Sequence, residues 1–577
     1  MNRRVFHQSV GWALPTIRHK WFRLASYVAA ALVLSAGCGQ LTGDQDFCEV
    51  EIAPEKLRQI EMLDLEEIDE EPRPAEQPDA NHPPPKELQL TLEQCRAWAL
   101  ANNLDLNVQL ISPAIAAERV AEEQAKFEAA FFSNLSFNKL DTPVVSFLDV
   151  ISGAKVDYFR TDLGVQMPLR SGGTVTFDLA GSRVKTDATL TTFNPYYDSD
   201  MSLSISQPLL QGAGKWVNTH SIRIAQYERQ ITDARCKLEV IRVIAALDRV
   251  YWRLYAARRE LEVRESQHEL AKTQLERARR LVELGERPPV EIIRAEAGVA
   301  QQLEAIIVAE NHLRDRQREL KRVVGVPQTR KRAFGGPINK AELHMQSPTA
   351  LIPLTEPDPV RYQLQPQRLV DMAVDTRMEM LELELQIAAD SSTLDYMRSQ
   401  ILPLASLDYT YNISGLGATA DDAFDLLFNK EYEDHRLGLQ VVVPLGNEAA
   451  QSRLRQAIYQ RAQRLATRNS RRALVELEVL NAIDQVEANW QRILASRQRA
   501  ILDGRLFEAE KRQFELGLRT STDVLEAQTN FADAQSAEIQ ALTEYQIALV
   551  DLAYATGMLL GAAKIEWEPI VPAHAAE

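Results

Sequence analysis

The residues able to carry chemistry are scattered along this 577-residue chain and form no catalytic constellation. GAGK at Gly212–Lys215 has the lysine of a phosphate loop. It lacks the earlier glycine and the following Ser/Thr that would wrap a phosphate and hold Mg2+. His268 opens the triplet HEL, without the second histidine one turn later that a zinc protease needs. The nine histidines lie apart, no GxSxG element supplies a nucleophile elbow, and the four cysteines contain no CxxC pair. The sequence therefore predicts no enzyme, no cofactor and no metal site. The formal net charge of −16 argues against a nucleic-acid partner, because phosphate binding requires a basic face.

Two other segments stand out because they interrupt helices in the same way. FELGLRTSTDVLEAQ (Phe514–Gln528) and VELGERPPVEIIRAE (Val282–Glu296) place Gly517 and Gly285 at the same point, 232 residues apart. At that offset Glu283/Glu515, Leu284/Leu516, Arg287/Arg519 and Ala295/Ala527 are identical pairs, as are Arg223/Arg455, Ala225/Ala457 and Gly325/Gly557. Repeated agreement at one offset is the mark of an internal duplication. A glycine fits the left-handed residue with which many helices end. Ser521 or Thr522, with Asp523, reads as the cap of the following helix.

The elements that must position these turns follow from pattern. A helix is predicted from about Thr91 to Phe132, then period-two strands at 133–140, 157–168, 173–183 and 200–209. From Val217 to Leu284 the chain has neither Pro nor Gly, about 68 residues, which as a helix would span on the order of 100 Å. A second helix runs from about Pro289 to Val324. The plan then repeats: helix 366–402, strands 404–413 and 435–445, long helix 447–516 and last helix 520–560. In each half two shorter helices together match one long helix, so each half is a rod with strands at one end and the turn at the other. Such a rod exposes too much apolar surface to stand alone and is expected to pack on copies of itself.

The N-terminal region reads as an address. Arg3, Arg4, Arg18, Lys20 and Arg23 precede a 13-residue apolar run, Leu24–Ala36, too short to span a bilayer, as in a secretory signal. The following Gly37-Cys38 resembles a bacterial lipobox, with Ser35 standing where leucine is usual; it marks Cys38 as the lipidation site, with a plain cleaved signal peptide as the alternative. Residues 39 to about 86 are acidic, then proline-rich, the composition of an extended spacer. Cys48 and Cys95 either pair or remain free thiols. The organisation expected is thus signal peptide 1–37, spacer 38–90, first repeat 91–325, linker 326–365, second repeat 366–560 and tail 561–577.

With its export signal, two helix–strand–helix repeats, the QPLLQGAG (207–214) and VPLGN (443–447) junctions and FELGLRTSTDVLEAQ, the sequence resembles the TolC-like outer-membrane efflux protein family, as an outer membrane factor lipoprotein. The resemblance covers about Thr91–Leu560. It implies a mainly α fold with a β-barrel part. The long antiparallel hairpins would form an α-barrel tunnel, and a homotrimer would share one transmembrane β-barrel. It also implies coupling to an inner-membrane pump through a periplasmic adaptor. In such a protein Leu284, Gly285, Ile292, Leu516, Gly517, Ser521 and Val524 would form the adaptor-docking entrance. Asp523 and Glu526, or Glu291 and Glu296, would ring the constriction, where crowded carboxylates would titrate high. The family contributes four strands per subunit. Six candidates are present here, an excess that an additional hairpin outside the membrane would explain. A periplasmic adaptor and a structural coiled-coil lipoprotein are the competing readings; the alternating strands and the duplicated hairpins speak against both.

Overall fold

The computed structural model describes residues 87–143, 153–325, 347, 349–516 and 518–568. The signal segment, Cys38, Cys48, Gly517 and most of the linker lie outside the described residues.

Thr91 starts the helical part with a capping box, its hydroxyl accepting from Gln94 N while the Gln94 side chain accepts from Thr91 N. The expected single helix to Phe132 is instead two: α1 (Leu92–Asn102) and α2 (Leu104–Ala125). Between them Asn103 is extended and caps α2 by accepting from Leu106 N at 2.9 Å, while its amide donates to Val323 O at 2.8 Å. Neither Pro nor Gly marks this break; tertiary contact makes it. Gly325 must be glycine there, because its φ is +78° and a Cβ would lie 2.3 Å from Asn102 O.

The strands follow: β1 (Glu87–Leu90) before α1, then β2 (Ala130–Asp141), β3 (Lys155–Pro168), β4 (Thr174–Thr186) and β5 (Tyr196–Pro208). A short α3 (Lys215–Asn218) leads into α4 (His220–Glu283), which turns back as α5 (Val290–Val324). The second half contains β6 (Ala350–Pro353), α6 (Pro366–Thr376), α7 (Met378–Ser399), β7 (Leu404–Gly417), α8 (Ala420–Asn429) and β8 (Glu433–Val442). It ends with α9 (Glu448–Glu515), α10 (Ser521–Ala555) and α11 (Leu559–Ala562). The duplication is visible in lengths. α1 and α6 both have 11 residues, α2 and α7 both 22, α5 and α10 both 35. The α6–α7 break falls at Arg377, which is extended, buried, and held by Glu379 and Glu478.

The waist packs around α4. Tyr251 is fully buried, donates its hydroxyl to Leu90 O at 3.1 Å and accepts from Thr355 N at 2.9 Å, tying α4 to the parallel pair β1–β6. Beside it the buried Asp248 receives a two-pronged bond from Arg96 at 2.9 and 2.6 Å. Cys95 and Cys236 are buried free thiols, so Cys95 forms no disulfide here.

The six long strands form one antiparallel sheet in the order β2-β3-β4-β5-β7-β8. One face carries Phe137, Phe159, Phe177, Leu203, Leu407 and Leu437, all of them exposed. No described helix is long and apolar enough to cross a membrane.

Candidate functional site

The far ends of the two hairpins form the site. α4 and α5 pack as one antiparallel pair and α9 and α10 as the other, with α4 also packed along α10. At the first tip, Gly285 (φ +73°) lets Glu286 N donate back to Leu281 O at 2.9 Å. The second tip closes in the same way, with Leu518 N donating to Gln513 O at 3.0 Å.

The helix that follows the second tip is capped by Thr520, one residue before the expected Ser521 or Thr522. Thr520 and Asp523 form a reciprocal capping box, the Asp523 carboxylate accepting from Thr520 N and Oγ1 at 2.9 Å each. These bonds hold the Asp523 carboxyl below the usual range.

Glu291 behaves differently from expectation. It is 4% exposed, accepts from Ser521 N at 3.2 Å, and pairs with Arg294 at 2.7 Å. It is therefore turned into the seam between hairpins and is not free to face a constriction. Burial pushes its carboxyl upward, but the bonds from Ser521 and Arg294 outweigh that and leave it below the usual range. Within one chain both carboxyls, Glu291 and Asp523, are lowered by their bonded partners. Glu296 is exposed and paired with Arg279 at 3.0 Å, while Glu526 is exposed.

Arg287 complements Glu291. It donates to Phe514 O, the end of α9, at 3.1 Å, and stands 5.0 Å over the Phe514 ring. The first tip thus sets a cation on the C-terminal end of α9 and an anion on the N-terminal end of α10, as each helix dipole favours. Arg277 adds a bond to Glu515 at 2.7 Å.

The apolar residues divide into two groups. Leu284 and Leu516 are 72% and 74% exposed and crown the tips. Two residues missed by sequence reading join them: Leu518 at 73% and Ile293 at 66%. Their neighbours lie deeper. Val524 is buried with Phe507 and Ala527, and Ile292 is half-buried. Ser521 borders a crevice of about 30 Å³ between the hairpins, room for about one water molecule. The sequence reading chose Ile292 of the adjacent pair, whereas Ile293 is the outward one; the Thr-x-x-Asp signal at 520–523 was readable.

Paired helices of about 100 Å, joined to a sheet with one exposed apolar face, define an outer-membrane protein of the efflux-channel class. The chain belongs to the outer membrane efflux protein family, whose profile matches residues 170–326 and 369–558. It is 23% identical to the outer membrane protein TolC of Vibrio cholerae over 360 residues, 62% of this chain and 76% of that protein. The fold is similar to the CmeC outer membrane channel of Campylobacter jejuni, with a TM-score of 0.55 and 14% identity over 81% of this chain and 86% of that one. It is also similar to the outer membrane protein VceC of Vibrio cholerae, with a TM-score of 0.56 and 13% identity over 81% of this chain and 96% of that one.

Proposed function

We propose that this chain is the outer-membrane conduit of an efflux or type I-like export assembly. Three copies share one β-barrel, their helices enclose a periplasmic tunnel, and the tips receive a periplasmic adaptor joined to an inner-membrane pump. Cys38 carries the lipid that anchors each copy. The observation that carries this reading is the sheet, with one apolar face exposed and, among the described residues, the outer edge of each end strand open. Backbone in a bilayer must be paired, so such a sheet is stable in lipid only within a closed barrel, and six strands are too few to enclose a tunnel.

Exposed Leu303, Ile307 and Val308 on α5, with Leu477, Leu494 and Leu502 on α9, support lateral packing of the rods on further copies. Leu284, Leu516, Leu518 and Ile293 offer the adaptor an apolar crown. The test is native mass spectrometry in detergent together with planar-bilayer recording. Three copies with stepwise conductance are expected; a non-conducting monomer would refute the proposal.

A further inference from the structure

We infer that all six long strands of this chain cross the membrane, the additional hairpin β3–β4 included, and that β2 and β8 pair with the opposite edges of neighbouring copies. This rests on the trimeric reading above, which makes the closed barrel one of eighteen strands.

Three observations carry it. The first is register. β3 pairs with β4 from Val156↔Thr186 to Pro168↔Thr174, and β4 with β5 from Thr174↔Ser206 to Val184↔Tyr196. The hairpin is therefore an integral part of the sheet, level with its neighbours. Its strands, of 14 and 13 residues, exceed the 9–11 or so that span a bilayer.

The second is the division of faces. Phe159, Val165 and Met167 on β3 lie on the same face as Val175, Phe177 and Leu179 on β4. That is also the face of Leu203 and Ile205 on β5. Phe177 is 44% exposed against 37% for Leu203, so the hairpin offers its apolar face as openly as its neighbour does. The opposite face carries Arg160, Asp162, Gln166, Thr176, Asp178 and Ser182, as suits a wet lumen. A hairpin standing in water would have no reason to repeat the apolar face of the strands beside it.

The third is the turn at residues 169–173. Gly214 N donates to Ser171 O at 2.9 Å, the Ser171 hydroxyl donates to Gln207 Oε1 at 2.8 Å, and a Cβ on Gly172 would meet Gly212 O at 2.3 Å. The turn is stitched to QPLLQGAG, where β5 leaves the sheet for the helices. The hairpin thus reaches the end of the sheet nearest the helical body and traverses its full depth.

The occupant of the open edges follows. Among the described residues β2 is bonded only to β3, and β8 only to β7. With six alternating strands, β2 and β8 run antiparallel, so β8 of one copy continues the alternation onto β2 of the next. At a strand spacing of about 4.8 Å and a tilt of about 40°, eighteen strands give a backbone radius of roughly 18 Å, against roughly 12 Å for twelve.

The test uses the full-length protein in liposomes, with single cysteines at adjacent β4 positions. Asp178→Cys is expected to react with a charged thiosulfonate reagent. Phe177→Cys is expected to lose that labelling, and its bimane adduct to be quenched by lipids with brominated chains. Leu203→Cys and Ser204→Cys on β5 serve as the controls. Should Phe177→Cys label like Asp178→Cys and escape quenching while Leu203→Cys is quenched, the hairpin lies outside the bilayer and the inference is overturned. A subunit count other than three would defeat the trimeric reading and the figure of eighteen, while the labelling would still decide whether the hairpin crosses.

Discussion

The bond from Ser521 N to Glu291 allows one prediction to be worked through. α10 begins with donors that lack helical partners. Thr520 N is satisfied by Asp523 and Asp523 N by Thr520, while Ser521 N is satisfied by Glu291 of the other hairpin. A hydrogen bond to a charged group contributes about 1.5–3 kcal/mol. Glu291→Ala is therefore expected to raise local opening at the start of α10 about 30-fold, taking about 2 kcal/mol. Glu291→Gln keeps an acceptor and removes the charge, so about 1 kcal/mol, or roughly fivefold, is expected.

The sign with pH follows from the lowered carboxyl. A depressed acid contributes stability that is present above its unfolded value and lost as pH falls through the folded one. Protection in the wild type should hold from neutrality down to about pH 4.5 and decline below it. Glu291→Gln should show a shallower decline, the remainder coming from Asp523, whose carboxyl is also lowered by its bonds to Thr520. Hydrogen exchange read by mass spectrometry on peptides covering 518–528 measures this, after correction for intrinsic rates. Equal protection in wild type and Glu291→Ala, with the fold intact, would refute the capping role.

Two further outcomes are expected. Arg96→Leu leaves the fully buried Asp248 carboxylate without its partner and should cost about 3–5 kcal/mol at the waist. Its apparent melting midpoint should fall well below that of the double variant with Asp248→Asn; equal midpoints would show that the lone charge is not the cause. Gly298→Val should force α5 from α10, since a Cβ at Gly298 would stand 2.8 Å from the Leu525 side chain. Overpacking of about 1–3 kcal/mol is expected, read as faster proteolysis of the hairpins, with Leu525→Ala in the same chain restoring resistance.

The long helices and the strands were legible because their signals are local. For α4 a run of about 68 residues without Pro or Gly points to helix, for α5 and α9 the three-and-four recurrence of apolar residues does, and strict alternation marks a half-apolar strand. The breaks at Asn103 and Arg377 were not legible, because each is set from across the fold. Val323 O draws the Asn103 amide, and Thr376 donates its hydroxyl to Thr556 O at 2.7 Å. The parallel pair β1–β6 joins residues more than 250 positions apart, beyond the reach of any local pattern. α8, between strands β7 and β8, does carry a readable signal, the capping box between Thr419 and Asp422. Glu291 and Glu296 look alike in sequence; only the neighbouring hairpin makes one a buried cap and leaves the other an exposed partner of Arg279.

Duplication gave the two tips the same residues at key positions, yet they use them differently. Arg287 and Glu291 reach across to the ends of α9 and α10. Their counterparts at the 232-residue offset, Arg519 and Asp523, stay local: Arg519 pairs with Glu510 and Gln513, and Asp523 closes on Thr520. The cause lies in the acceptor's target. Ser521, which offers Glu291 an N–H, corresponds to Pro289 in the first tip, and proline has none to offer. An Asp523 reaching toward a first tip would therefore find no donor at that position, whereas its own Thr520 supplies two. α5 begins without a side-chain cap, Glu291 N and Ile292 N donating instead to Pro288 O and Pro289 O at 3.1 Å each. One substitution class, proline for a hydrogen-bonding residue at the start of a helix, thus separates two tips that began as copies.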